Sequence, residues 1–288
     1  MAAAMRTVTL AGGEILPALG LGTWHMGEAA RSQAAEVAAV RLAIEIGYRL
    51  FDTAEMYGEG GAETVLGLAL NDALRVGDVT RQQLFIVSKV YPHNASRAGA
   101  VAACERSCKR LGLDQIDLYL LHWPGSHPLA QTVAAFEALR GQGRIRHWGV
   151  SNFDTDDMAA LWAVNEGQNC AANQVYYSLS ARGVEFDLLP RQRERKVATM
   201  AYCPIDQGTL AKSAALRPLA EKLDATPAQV ALAWLVSCGG VIAIPKAVQA
   251  QHLRDNFAAA SLPLDAQALA ELDTLFAPPR RKVALTMS

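Results

Sequence analysis

The sequence predicts an α/β fold: a closed (β/α)8 TIM barrel with an N-terminal β-hairpin. Eight short β-branched or leucine-rich runs alternate with longer segments of helical period, the alternation that builds a parallel sheet. The chain has 288 residues, and eight βα units closed into a barrel occupy about 250. The rival arrangement, an open doubly wound sheet, announces its nucleotide site with G-x-G-x-x-G after the first strand. Here Gly20-Leu21-Gly22-Thr23-Trp24-His25 begins that way and then places His25 where the third glycine belongs.

The elements follow in order. Val8–Leu10 and Glu14–Leu16 flank Ala11-Gly12-Gly13, a hairpin signal. Strands are expected at Leu19–Gly22, Leu50–Thr53, Leu84–Ser88, Ile116–Leu121, Ile145–Ser151, Ala171–Gln174, Val197–Ala201 and Val241–Ile244. Between them, Val37, Val40 and Ile44 mark one helical stripe, and Val133, Phe136 and Leu139 mark another after Pro128. Thr226-Pro227-Ala228-Gln229 is a helix start: a capping Thr, Pro in the first turn and Gln three residues past the cap. Val230, Ala233 and Trp234 then face one way. Arg191–Lys196 reads as the exposed end of a helix. With no linker, repeat or low-complexity run beyond a general richness in alanine, residues 1–288 are expected to form a single barrel domain.

Composition narrows the function. Apolar residues make up 51% and charged residues 19%, which excludes disorder. Lys plus Arg number 27 against 28 Asp plus Glu, a net charge of −1, so no basic footprint for nucleic acid is expected. The longest apolar stretch, Val230–Val236, is far short of the roughly 18 residues of a membrane span. No signal peptide is expected in the opening residues. Five cysteines without a secretory signal point to reduced thiols and a cytoplasmic location. Cys104 and Cys108 share a stripe with Val101 and Leu111 and read as core, and no cluster has zinc-ligand spacing.

In such a barrel, chemistry sits at the carboxyl ends of the strands. There the sequence places Asp52 with Tyr57 five residues on, then Lys89, His122, Ser151-Asn152, Asn173-Gln174 and Pro245-Lys246. Each has an ordinary reading alone, as a cap, a rim aromatic or a solvated charge. Their coincidence at successive strand ends has none. A Tyr hydroxyl has a pKa near 10, too high for ideal acid–base work at neutral pH. An adjacent Lys cation is expected to lower it, a carboxylate such as Asp52 to orient the Lys, and a His to bond the same oxygen. This makes a proton donor for a carbonyl oxygen. The matching hydride comes from no side chain, so a cofactor is required.

On these residues the chain resembles the aldo-keto reductases. Gly47-Tyr48-Arg49-Leu50-Phe51-Asp52-Thr53-Ala54 with Tyr57-Gly58 is similar to the family's first signature, and Leu113–Pro124 to its fourth-strand signature. Val87-Ser88-Lys89-Val90, Gly149-Val150-Ser151-Asn152-Phe153, Asn173-Gln174-Val175, Ala201-Tyr202-Cys203-Pro204 and Ile244-Pro245-Lys246 continue the order. The resemblance runs from about Leu10 to Phe257. It implies reduction of aldehydes and ketones with NADPH, NADH being possible, by a catalytic tetrad of Asp52, Tyr57, Lys89 and His122. Tyr57 is the general acid in that reading, and His122 orients the carbonyl. The resemblance further implies that Ser151, Asn152 and Gln174 hold the nicotinamide carboxamide, that Tyr202 stacks on its ring, and that Lys246 meets the adenosine-side phosphate. Asn256 falls at the adenine position. His252 stands where the family has an Arg, with Arg254 two residues on; Ala247 and Cys203 are further departures.

Trp24, Met26, Met56, Tyr91 and Trp123 are expected around the substrate. The short connection after His122 and the short tail after Phe276 predict an open mouth for small aldehydes. The wording around Trp24 and Asp52–Tyr57 is similar to a bacterial branch that reduces methylglyoxal. A monomer acting on a small-molecule carbonyl substrate is the expectation, with neither nucleic acid nor membrane as partner. Two other readings stand beside it: a cofactor-binding sensor or regulatory subunit with incidental reductase chemistry, and a Schiff-base aldolase using Lys89 as nucleophile.

Overall fold

A computed structural model describes residues 5–287. The hairpin comes first, β1 (Thr7–Thr9) antiparallel to β2 (Ile15–Pro17). Eight parallel strands then alternate with helices: β3 (Leu21–Gly22), α1 (Gln33–Ile46), β4 (Leu50–Asp52), α2 (Gly61–Val76), β5 (Phe85–Val90), α3 (Arg97–Leu111). The series continues with β6 (Ile116–Leu121), α4 (Leu129–Gly141), β7 (Ile145–Ser151), α5 (Thr155–Ala163), β8 (Ala172–Tyr176) and α6 (Leu188–Glu194). It ends with β9 (Ala198–Tyr202), α7 (Arg217–Lys222), α8 (Pro227–Ser237), β10 (Val241–Ala243), α9 (Ala250–Ala259) and α10 (Ala266–Leu275). The strands pair in chain order from β3 to β10. Parallel bridges Leu19↔Ala243 and Gly22↔Lys246 join the last strand to the first and close the barrel.

Every residue of β5 and of β6 is buried, as strands covered on both faces require. Outside them Val40, Ile44, Leu66, Leu70, Cys104, Leu111, Phe136 and Leu139 face the sheet from the helices. The hairpin covers the amino-terminal end. Glu14, in its turn, accepts from Arg146 and from His147, both near the start of β7. Arg146 and Arg81 in turn converge on the buried Asp117 at 2.9 and 2.7 Å. Among the described residues no helix is long and apolar enough to cross a membrane.

The expected strand limits shift by a residue or two. Pairing of Lys89 with Leu120 and Val90 with Leu121 extends β5, so Lys89 lies inside its strand rather than after it. Pairing of Tyr176 with Tyr202 extends β8 and β9 together. Leu19 and Gly20 bond only toward Ala243, on one side, and stay outside β3. Helices α7 and α10 are additions to the simple alternation. The start of α8 is the expected capping box, with the Thr226 hydroxyl accepting from the Gln229 amide at 3.2 Å.

One close approach positions the mouth. The loop after β3 and the start of α2 touch backbone to backbone: a Cβ on Gly61 would lie 2.2 Å from the Gly27 carbonyl oxygen, and Gly27 itself has φ +72°. Gly61→Ala should therefore cost roughly 1–3 kcal/mol of stability, read by urea unfolding. Gly141→Ala, where a Cβ meets nothing within 4 Å, should leave stability level or slightly raised. Equal losses in the two variants would sink the argument.

The tail changes the expectation of an open mouth. Lys282 donates to Asp154 and to Asp187, both at 2.9 Å, and Arg182 donates to the Phe276 carbonyl. Asp154 follows β7 and Asp187 precedes α6, so the tail is tied across the β7 and β8 side of the rim.

Candidate active site

Parallel register brings Asp52, the last residue of β4, beside Val87 of β5, two residues before Lys89. The side chains meet inside the barrel. Lys89 Nζ donates to Asp52 Oδ2 at 2.7 Å, to the Thr53 carbonyl at 2.9 Å and to Tyr57 Oη at 3.1 Å. An ammonium has three donors, and here all three are engaged on a side chain with no exposure. That arrangement belongs to a held cation. A Schiff-base lysine needs a neutral amine with room for a carbonyl carbon, so the aldolase reading loses its nucleophile.

Tyr57 reaches this point because the chain reverses sharply after β4. Tyr57–Gly60 form a 3-10 turn in which Gly58 and Glu59 take φ of 57° and 51° and Gly60 takes 88°. The reversal lays the Tyr57 ring beside Lys89, Nζ lying 4.7 Å from the ring centroid. His122 follows β6, its amide donating to the Val90 carbonyl at 3.1 Å. Its ring stands edge-on to Tyr57, centroids 5.7 Å apart. Its Nδ1 is buried and has no hydrogen-bond partner among the described residues.

The electrostatics depart from the expectation that Lys89 lowers the Tyr57 pKa. Burial pushes the phenol well above its ordinary value, and the negative charge of Asp52 adds to that. Stripping water from a phenolate outweighs the one cation beside it. Burial also lowers the Lys89 pKa, against the raising effect of Asp52. Burial and the Lys89 charge hold His122 well below the usual imidazole range. At neutral pH the cluster therefore presents a protonated phenol and a neutral imidazole.

The residues expected to hold a cofactor line the next strand ends. Ser151 Oγ donates to the Gln174 carbonyl at 2.9 Å. Asn152 has φ of 60°, a left-handed conformation that Asn tolerates better than most residues. Its Nδ2 donates to the His122 carbonyl at 3.2 Å, and its Oδ1 accepts from Tyr202 Oη at 2.8 Å. Tyr202 is half-buried. Beyond it lies a cavity of about 520 Å³ lined by Ser180, Asp206, Gly208, Thr209, Lys212 and Ser213 among others. Lys246 is exposed beside the barrel seam. On α9, His252 and Arg254 are exposed, while Asn256 is buried. Amide and hydroxyl groups, then an aromatic ring, then a roomy cleft with Lys212 in its lining suit a nicotinamide dinucleotide in chemical order. The unpartnered nitrogen of His122 suits a polar group arriving from outside the chain.

Around the mouth, Trp24 is half-buried and stacks on His25 with centroids 4.1 Å apart. Trp123 packs between His122, at 4.9 Å, and Tyr91, at 6.0 Å. Met56 is exposed. Met26 is not available to a substrate: its side chain is fully buried in the core. The local turn that bonds its amide to the Thr23 carbonyl accompanies that burial.

Three contributions escaped sequence reasoning. Gln174 Nε2 donates to Asp52 Oδ1 at 2.8 Å, so this glutamine holds the carboxylate from across the barrel. The Thr53 carbonyl supplies the third acceptor for Lys89. Glu55, buried, accepts from the Tyr91 amide at 2.8 Å and from Asn94 Nδ2 at 3.0 Å, fixing the loop after β5. Only Glu55 left a signal, as a charge beside an apolar residue on each side in the Asp52–Tyr57 segment.

The family described as the aldo/keto reductase family matches residues 18–277. A protein named methylglyoxal reductase YeaE from Escherichia coli strain K12 is 46% identical over 287 residues, covering 98% of this chain and 99% of the relative. An aldo/keto reductase from Klebsiella pneumoniae, solved in complex with NADP and acetate, superposes with a TM-score of 0.92 at 45% identity, over 99% of this chain and 100% of the other. A structure of an aldo-keto reductase from Klebsiella pneumoniae in complex with NADPH gives the same score, identity and coverage.

Proposed function

The chain belongs to the aldo/keto reductase family, and from that premise we propose how it works as a carbonyl reductase using NADPH. The observation that carries the reading is the Lys89 ammonium, bonded at once to Asp52 and, at 3.1 Å, to the Tyr57 hydroxyl. Tyr57 gives its proton to the carbonyl oxygen of the substrate. Lys89 stabilises the phenolate this leaves behind, and Asp52, itself held by Gln174, keeps Lys89 in place. His122 stays neutral and bonds the same carbonyl oxygen, orienting it toward Tyr57. NADPH, when bound, supplies the hydride to the carbonyl carbon, which together with the Tyr57 proton completes an alcohol.

Ser151, Asn152 and Gln174 hold the carboxamide in this proposal, Tyr202 lies against the nicotinamide ring, and Lys246, with His252 and Asn256 on α9, takes the adenosine end. Trp24, Met56 and Trp123 border the substrate. The short loop between Trp123 and Pro128 favours small carbonyl compounds, and the similarity to a methylglyoxal reductase favours 2-oxoaldehydes among them. The protein works as a single barrel domain and a monomer in the cytoplasm.

Oxidation of NADPH at 340 nm with methylglyoxal and with a simple aromatic aldehyde, NADH in parallel, tests this. Turnover with NADPH is expected. Lys246→Ala should weaken NADPH binding more than NADH binding. Equal losses would remove Lys246 from the phosphate site, and no turnover with either aldehyde despite cofactor binding would overturn the substrate class.

A further inference from the structure

Glu63 carries a buried charge that the proton-donor cluster described above does not use. It lies in the first turn of α2, six residues after Tyr57, and its side chain is completely buried. Its Oε1 accepts from Ser88 Oγ at 2.5 Å, and its Oε2 accepts from Arg110 Nε at 2.6 Å. Ser88 is the residue before Lys89 on β5. Successive side chains of a strand point to opposite faces. Lys89 therefore turns into the barrel toward Asp52 and Tyr57, and Ser88 turns out toward α2, where Glu63 meets it.

The neighbours of Glu63 on the same helix stripe, Leu66, Gly67 and Leu70, are buried apolar or small residues. An apolar residue at position 63 would serve that packing alone, and burying a carboxylate there is costly unless it is fully bonded. What the carboxylate adds is a tie. It joins the segment that carries Tyr57 to the strand that carries Lys89, through α2 on one side and Ser88 on the other. Arg110 completes it from α3 by passing close over Gly60, where a Cβ would lie 2.6 Å from the Arg110 Nε. The turn that aims the phenol is thus clamped at its far end to the strand that aims the ammonium.

We propose that Glu63 is a positioning residue for proton transfer, holding the Tyr57 turn and the Lys89 strand in register through Ser88 so that hydroxyl and ammonium stay in contact. The proposal rests on the reductase reading. The negative charge of Glu63 also favours the charged form of Lys89 from behind the strand.

The test is Glu63→Gln, with Ser88→Ala as a second variant that leaves the Glu63–Arg110 pair intact. Steady-state reduction of methylglyoxal is measured across pH, with NADPH affinity taken from fluorescence titration. In Glu63→Gln, kcat should fall roughly 10- to 100-fold, the size of effect that a small misplacement of reacting groups produces. NADPH affinity should stay within about twofold, since Glu63 is not among the proposed cofactor residues. The alkaline limb of the kcat profile should move to lower pH, because losing the negative charge lets Lys89 give up its proton sooner. Ser88→Ala should show a smaller fall in kcat with affinity again retained. A native kcat and pH profile in either folded variant would overturn the proposal, as would a loss of NADPH affinity that matches the loss of rate. No turnover by the native chain would instead overturn the reductase reading on which the proposal stands.

Discussion

Tyr57→Phe should lower the rate of carbonyl reduction by roughly 10²–10⁴-fold, the range for removing a general acid, and leave NADPH binding near its native strength. The substitution deletes one oxygen and keeps the ring that packs beside Lys89 and His122. The residues proposed to hold the cofactor sit on β7, β8, β9 and beyond, and none of them belongs to the Tyr57 turn. Rate and affinity should therefore separate, the signature of an interaction made in the transition state. The native pH profile carries the same information. Burial keeps the phenol protonated through neutral pH, and the imidazole of His122 takes up a proton only well below its ordinary range. Native kcat should run level through neutral pH and decline on the alkaline side, where the phenol and the ammonium begin to lose their protons. Near-normal turnover by Tyr57→Phe would remove Tyr57 from the role of proton donor.

Lys89→Met should abolish measurable turnover and also destabilise the fold, by about 3–5 kcal/mol, the cost of leaving one member of a buried ion pair alone. Asp52 and Lys89 are both buried and bonded at 2.7 Å. Without the cation, the carboxylate of Asp52 keeps its bond from Gln174 and stays buried without its counter-charge. Urea unfolding of Lys89→Met at neutral pH should show that deficit. Adding Asp52→Asn should recover much of the stability at neutral pH and none of the activity. A double variant as unstable as the single one would show that the loss comes from packing around the lysine stem and not from the stranded charge.

The sequence by itself determined the architecture and the list of candidate groups. Buried parallel strands are largely apolar runs, and the fully buried β6 and the mostly buried β7 have the limits that the sequence predicts. Helix starts depend on a few adjacent residues, so the box at Thr226 was legible. A reactive residue at a strand end is also a local pattern, and Asp52, Lys89, His122 and Gln174 share one mouth because the barrel gathers all strand ends. Partners across that mouth were another matter. Gln174 bonds Asp52 across 122 residues of sequence, and period-two alternation gives the face of each strand but not what lies opposite. Met26 carries no mark to distinguish a rim residue from the core residue it is. The tail, short enough to suggest an open mouth, is tied down by Lys282 to acids on two separate connections. The direction of the Tyr57 shift belongs to the same class. The neighbouring lysine is visible in the sequence and argues for a lower pKa. The desolvation that overrides it is a sum over everything packed around the ring, a quantity that exists only once the chain has folded.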